Sequence, residues 1–183
     1  MAQSWRSRRS EGEARQARPL DEAGLERVAL RYVERYATTR AKLSAYLSRK
    51  IRERGWAGES APAPEALVEK LAALRYVDDQ TFAAARAASL TRRGYGLRRV
   101  SATLRAAGIE SDDAAAAEEA ARQAAWGAAL AFARRRKLGP YAAEPLDRAG
   151  REKAFAALLR AGHDVSIARA IVQAEPGHVP ELD

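Results

Sequence analysis

No cysteine occurs among the 183 residues. That absence removes disulfides, thiolate metal sites and cysteine nucleophiles in one step. Histidine is nearly missing too. His163 and His178 are the two present, too few for a histidine-rich metal centre, and neither has a nucleophile or carboxylate at a telling spacing, so both read as non-catalytic. Long apolar runs are also lacking: a membrane span needs about 18 residues, and the alanine-rich stretches are cut by Glu118, Glu119 and Arg122. The N-terminus, MAQSWRSRRSEGEAR, carries charge without an apolar core, so it is not a secretory signal. Runs of Val, Ile and Thr suited to strands are missing. A soluble cytoplasmic protein without cofactor or metal is the expectation.

What is present is alanine and arginine. Alanine makes up about a quarter of the chain, and 27 arginines stand against 5 lysines. Alanine is the strongest helix former, which predicts an all-α fold. The formal net charge is +8, pointing to an acidic surface or a phosphate backbone as partner. The charge lies in bands. Residues 40–54 hold Arg40, Lys42, Arg49, Lys50, Arg52 and Arg54 against Glu53, and residues 75–109 hold seven arginines against Asp78 and Asp79. Residues 110–119 reverse the sign. Such bands suggest a basic face, with a solvated helix exterior as the alternative.

Periodicity and breakers divide the chain. A basic N-terminal arm is expected over 1–24, its first 18 residues lacking any apolar period. A first helical repeat follows over 25–56, with Leu25, Val28, Ala29, Tyr32, Val33 and Tyr36 as one stripe, then Leu43, Tyr46, Leu47 and Ile51 after a threonine cap. The AGESAPAP segment at 57–64 reads as a linker, a second repeat as 65–120, a third as 121–174, and 175–183 as a loose tail. Asp78 or Asp79, Ser111, Asp147 and Asp164 are the expected helix starts.

The repeat shows in the spacing. Gly96, Val100, Leu104 and Gly108 recur 54 residues later as Gly150, Ala154, Leu158 and Gly162. Thr39, Leu43, Leu47 and Ile51 offer the same spacing in the first unit. Helical units this small bury little surface alone, so stacking into an elongated, slightly curved array is predicted. Such a body is suited to lying along a partner, whereas catalysis more often uses a shielded pocket.

No GxxxxGK[ST] loop and no strand–glycine–helix fingerprint is found. Gly94-Tyr95-Gly96 reads as a helix junction; Tyr32, Tyr36, Tyr46, Phe82, Phe132 and Phe155 fit core stripes better than base-stacking platforms, and Tyr95, beside Arg92 and Arg93, is the exception to watch. Asp78-Asp79 could suggest paired carboxylates, but neighbours on a helix point about 100° apart and no third ligand is near, so capping is the better reading.

Residues 71–109, LAALRYVDDQTFAAARAASLTRRGYGLRRVSATLRAAGI, resemble the central repeat of the RecX regulatory proteins of bacteria. Tyr76, Asp78, Asp79, Phe82, Ala83, Gly94, Gly96, Leu104, Gly108 and Ile109 match that family's pattern, while Arg75 stands where it has glycine. A weaker likeness runs over about residues 25–172. The resemblance implies three tandem three-helix units and a non-enzymatic modulator of recombination and DNA repair. It implies a protein that lies in the groove of the RecA–DNA filament, bridges protomers and restrains ATP hydrolysis, filament growth and strand exchange. Some family members also contact DNA directly. Charge and exposure nominate Arg86, Arg92, Arg93, Tyr95, Arg98 and Arg99, with Lys42, Arg49 and Arg52, as contacts for RecA or for single- or double-stranded DNA. A monomer is expected. The alternative is a DNA-binding protein acting without RecA, using the helices around Gly94–Gly96 as a helix-turn-helix; a hydrolase built on Asp78 and Asp79 is more remote.

Overall fold

The computed structural model describes residues 18–181. Residues 1–17, most of the expected basic arm, and 182–183 lie outside the described residues. Nine α-helices fall within them: α1 (Glu22–Arg35), α2 (Arg40–Arg54), α3 (Pro64–Ala73), α4 (Asp79–Arg92), α5 (Leu97–Ala106), α6 (Ser111–Gln123), α7 (Ala125–Arg136), α8 (Arg148–Arg160) and α9 (Val165–Gln173). Among the described residues there is no strand, only one isolated bridge between Leu20 and Trp56. The all-α expectation holds.

Three cores divide the helices by threes. Leu25, Ala29, Leu43, Leu47, Val68 and Leu71 bury the first, from α1, α2 and α3. Ala83, Ala87, Leu90, Val100, Leu104 and the α6 alanines Ala114, Ala117 and Ala121 bury the second. Phe132, Leu158, Ala168 and Ile171 anchor the third, from α7, α8 and α9. The second core is alanine-rich because α4 and α6 approach closely, which only small side chains permit.

Several boundaries differ from those expected. Helix α3 belongs to the first unit, since Val68 and Leu71 fill its core; the 57–64 segment is therefore a loop within that unit. Pro64 does not break the helix but opens it, in the first turn, where an N–H has no partner within the helix to lose. The first helix starts at Glu22, capped by Asp21, whose carboxylate accepts from the Gly24 N–H at 2.6 Å. Leu20 is buried and its N–H donates to the Gly55 carbonyl, so the expected arm is tied down before residue 24. Ser111 is the first residue of α6 rather than its cap. The α6–α7 break falls at Ala124, ahead of Trp126-Gly127. Helix α7 ends when Lys137 turns left-handed, before Gly139-Pro140. Tyr36, assigned to a core stripe, is about half exposed at the end of α1.

Four helices end alike. The residue two past the cap donates back across six residues while the one before it turns left-handed, satisfying the last carbonyls. Gly94, Gly108 and Gly162 supply that turn after α4, α5 and α8, with Tyr95, Ile109 and His163 donating to Leu90, Leu104 and Leu158. Arg75 does the same after α3 at φ 64°, with the Tyr76 N–H on the Leu71 carbonyl at 2.9 Å. The turn geometry of the glycine pattern is kept here by an arginine, at a cost in local strain.

The second helices of the three units run head to tail. The hydroxyl of Thr39, which caps α2, donates to the Ala107 carbonyl at the end of α5 at 2.7 Å. Gly96, at the start of α5, donates its N–H to the Ala161 carbonyl at the end of α8 at 3.0 Å, and the Arg98 N–H reaches Gly162 at 3.1 Å. Donor-rich helix starts thus meet acceptor-rich helix ends at both joints, a favourable dipole order. This is the physical content of the spaced glycines. A Cβ on Gly96 would collide with the Gly162 carbonyl, and one on Gly108 with the Ala41 side chain.

Candidate partner interface

The junction between the second and third units gathers arginines around one tyrosine. The last turn of α4, the Gly94–Gly96 link and the first turn of α5 carry Arg93, Tyr95, Arg98 and Arg99. The Tyr95 ring packs on both the second and third cores while remaining half-buried. Arg93 and Arg99 place their guanidinium groups 5.5 and 5.9 Å from its centroid. Arg135 of α7 donates to the Arg93 carbonyl and lies over the buried Phe132 ring, as does Arg136. The acid at this junction is Asp164, 3.8 Å from Arg98, and both side chains are more than half exposed. A pair so exposed does little to cancel the surrounding charge. Chemically, the cluster presents planar cations on an aromatic base, a surface for carboxylates, phosphates or ring edges.

The remaining nominated residues lie elsewhere. Lys42, Arg49 and Arg52 share α2. Lys42 sits 5.0 Å from the Phe82 centroid, Arg49 pairs with Glu53 at 3.5 Å and lies over Tyr46, and Arg52 is exposed. Arg92 lines a groove between α4 and α6 together with Asp112 and Asp113, and Arg86 faces a second groove beside Tyr36 and Tyr76. The nine residues therefore form one compact cluster, one helix row and two separate groove margins. Arg135 and Arg136 were legible only as cations closing a helix; nothing in spacing places them beside Arg93.

The motif residues mostly build joints. Asp78 caps α4 through the Thr81 N–H at 2.8 Å, and that bond holds its carboxyl below the usual range, with Arg75 adding to the effect. Asp79 faces the other way. It is buried, accepts from the Arg40 N–H at 2.9 Å, and lies 3.5 Å from the Arg40 guanidinium, which also meets Asp113. Burial works against the Arg40 charge, but Asp79 and Asp113 outweigh it and raise its pKa. The adjacent carboxylates are thus a cap and a tie between the first two units. Phe82 packs beside the second core, Leu104 lies within it, and Gly94, Gly96 and Gly108 shape the links described above, while Tyr76 is exposed. His163 is buried at the other joint, 3.1 Å from the Gly94 carbonyl and edge-on to Phe132, with Nδ1 lacking a partner. Burial pushes its pKa below the ordinary histidine value, against the pull of the Gly94 carbonyl. Among the described residues, no helix is long and apolar enough to cross a membrane.

Comparison with known proteins agrees with this architecture. Residues 78–117 match the family model for the second three-helix domain of RecX, which begins at the Asp78 cap and spans α4, α5 and half of α6. The Regulatory protein RecX of Myxococcus xanthus (strain DK1622) is 32% identical over 160 residues, covering 83% of this chain and 86% of its own. Two solved structures share the fold. RecX from Lactobacillus salivarius has a TM-score of 0.59 at 19% identity, covering 82% of this chain and 94% of that one. A second regulatory protein RecX has a TM-score of 0.57 at 20% identity, covering 81% and 73%. With this extent of sequence identity, and three helical units joined end to end, the chain belongs to the RecX family of regulatory proteins.

Proposed function

We propose that this protein is a non-enzymatic, monomeric regulator of the RecA–DNA filament in the cytoplasm. In this reading it restrains RecA's ATP hydrolysis, filament growth and strand exchange. The observation that carries the contact assignment is the cluster of Arg93, Tyr95, Arg98, Arg99 and Arg135 at the joint between the second and third units. A positive surface held by backbone bonds between two units suits an acidic filament surface, and it suits DNA phosphates within the filament as well. Arg86, Arg92, Lys42, Arg49 and Arg52 extend the same charge along the array.

Base reading by α5 in a helix-turn-helix fits the structure less well. The first turn of α5 is occupied by the Ala161 and Gly162 carbonyls, where a recognition helix needs its start free for the major groove. DNA contact in this proposal is through phosphates and therefore salt-sensitive.

The test is single-stranded-DNA-dependent ATP hydrolysis by the cognate RecA, titrated with this protein at two salt concentrations. Inhibition far below one molecule per RecA favours action at filament ends; inhibition near equal amounts favours lying in the groove. Replacing Arg92, Arg93, Arg98 and Arg99 together by alanine is expected to weaken inhibition without loss of helicity. Full inhibition by that folded variant removes this contact face, and no inhibition by the unaltered protein removes the RecA reading.

A further inference from the structure

Five large apolar side chains are exposed among the described residues: Tyr36, Leu74, Tyr76, Val165 and Val179. Three of them gather where the first unit meets the second. Tyr36 ends α1, while Leu74 and Tyr76 flank Arg75, the arginine held at φ 64°. Between Tyr36, Tyr76 and α4 runs a groove of about 470 Å³, within the range that takes a ligand's side chains. Its walls are mostly aliphatic and aromatic, from Val33, Ala37, Val77, Phe82 and Ala85, with the hydroxyls of Thr38, Thr81 and Ser89 among them. A concavity with mostly apolar walls and a few polar groups is the kind of surface that seats a ligand group.

The rim decides the partner's chemistry. Asp78, the acid in the groove, is already committed to the Thr81 N–H and to Arg75 at 3.3 Å. Arg86, the other cation lining the groove, makes no ion pair among the described residues; outside the lining, Lys42 lies over the Phe82 ring and Arg35 over that of Tyr36, and neither of them makes an ion pair there either. Apolar walls with unpaired cations at the margin fit an apolar side chain flanked by carboxylates. Stacked bases fit less well, since the Asp78 carboxylate lines the groove and would repel their phosphates. We propose that this groove docks a short segment of a partner protein in which one or two large apolar residues are bracketed by Asp or Glu. The site is separate from the arginine cluster of the second joint and touches both of the first two units.

The experiment uses the full chain and a fluorescein-labelled synthetic peptide carrying a Phe-Leu pair between two Asp-Glu pairs, read by anisotropy. Saturable binding is expected. Filling the groove with Ala85→Trp, at an exposed position of α4, should weaken it about tenfold or more. The double variant Tyr36→Ser, Tyr76→Ser should do the same, because both side chains are exposed and their removal leaves the cores intact. Arg148→Ala, at an exposed position of α8 in the third unit, should leave it unchanged. A control peptide with Ser-Ser in place of Phe-Leu should not bind. Equal binding of both peptides means mere charge attraction and overturns the proposal. So does displacement of the peptide by a thymidine oligonucleotide at lower concentration than by unlabelled peptide, which would assign the groove to nucleic acid. Absence of saturable peptide binding to a folded protein overturns it outright. None of these outcomes bears on RecA inhibition, which is measured separately.

Discussion

Adjacent aspartates with opposite orientations offer a sharp test of how the first two units are joined. Asp79 has a side chain only 2% exposed, against 32% for Arg40. Replacing it by alanine removes the acceptor of the Arg40 N–H, the first N–H of α2. A buried donor left without a partner costs about 1–3 kcal/mol. The guanidinium loses one carboxylate as well, and losing one partner of a fully buried pair costs about 3–5 kcal/mol. That second figure is an upper bound here. Arg40 is a third exposed and keeps Asp113, with Glu69 at 4.0 Å. The expected loss for Asp79→Ala is therefore about 3 kcal/mol. Asp79→Asn keeps an oxygen for the N–H and gives up only the charge, for about 1–2 kcal/mol. Asp78→Ala loses an exposed cap and should cost less than Asp79→Ala.

Urea unfolding followed by circular dichroism measures all three variants. A double-mutant cycle of Arg40→Met with Asp79→Leu isolates the pair, and a coupling of about 1 kcal/mol or more is expected for contacting charges. If Asp79→Ala costs no more than Asp78→Ala, or if the cycle shows no coupling, the two carboxylates are equivalent caps and the joint is not held here.

Gly96→Ala should be at least as damaging as Asp79→Ala, since its Cβ meets backbone, including the His163 nitrogen at 2.6 Å, and displaces three inter-unit hydrogen bonds; a melting temperature within a degree or so of the unaltered protein would contradict this. Arg75→Gly relieves a left-handed arginine that costs about 1–2 kcal/mol, returns part of that as unfolded-chain entropy, and loses only an exposed pair with Asp78. A net gain of about 0.5 kcal/mol is expected, and a loss in urea unfolding would show that the side chain matters more than the turn. His163, with its folded pKa lowered by burial, binds its proton less readily than it does in the unfolded chain. Its contribution is intact above about pH 6.5, the ordinary histidine value, and is lost as the pH falls from there toward the folded pKa. The melting temperature should drop over that window, and His163→Gln should flatten the drop; an unchanged profile would assign the titration elsewhere.

Helix content, the three-unit repeat and the spaced glycines were legible because each follows from local physics. Alanine favours helix, Gly108 and Gly162 need φ above zero, and Leu47, Leu104 and Leu158 hold the same place in the three units, each four residues after a small or apolar partner. What failed was assignment across space. Helix α3 follows a Pro-rich stretch that looks like a boundary, yet its Leu71 belongs with Leu43 and Leu47, a choice made by packing rather than by breakers. Asp79 and Asp78 look identical in sequence, and only the arrival of α2 from the neighbouring unit distinguishes them. Tyr36 continues an apolar stripe that its helix ends too early to bury. Arg135 joins the arginine cluster from a third helix that no local pattern links to Gly94–Gly96.

The two joints hold the array by different means, and the difference bears on how it meets a partner. The second is mainly backbone on backbone, Gly96 against Gly162 with no side chain between those two, and the His163 ring and Arg135 add bonds to the Gly94 and Arg93 carbonyls. Interiors packed this closely deform little, so the arginine cluster mounted there is presented at fixed spacing. The first joint relies on Thr39, Arg40, Asp79 and Asp113, whose charges are screened by salt where Arg40 reaches solvent. A ligand seated between Tyr36 and Tyr76 touches both sides of that joint, whereas one on Arg93 and Arg99 touches a joint already fixed. Salt should therefore loosen the first joint before the second, and proteolysis at raised ionic strength should cut first between α3 and α4. Equal protection of both joints as salt rises would mean that Arg40 contributes geometry but not strength.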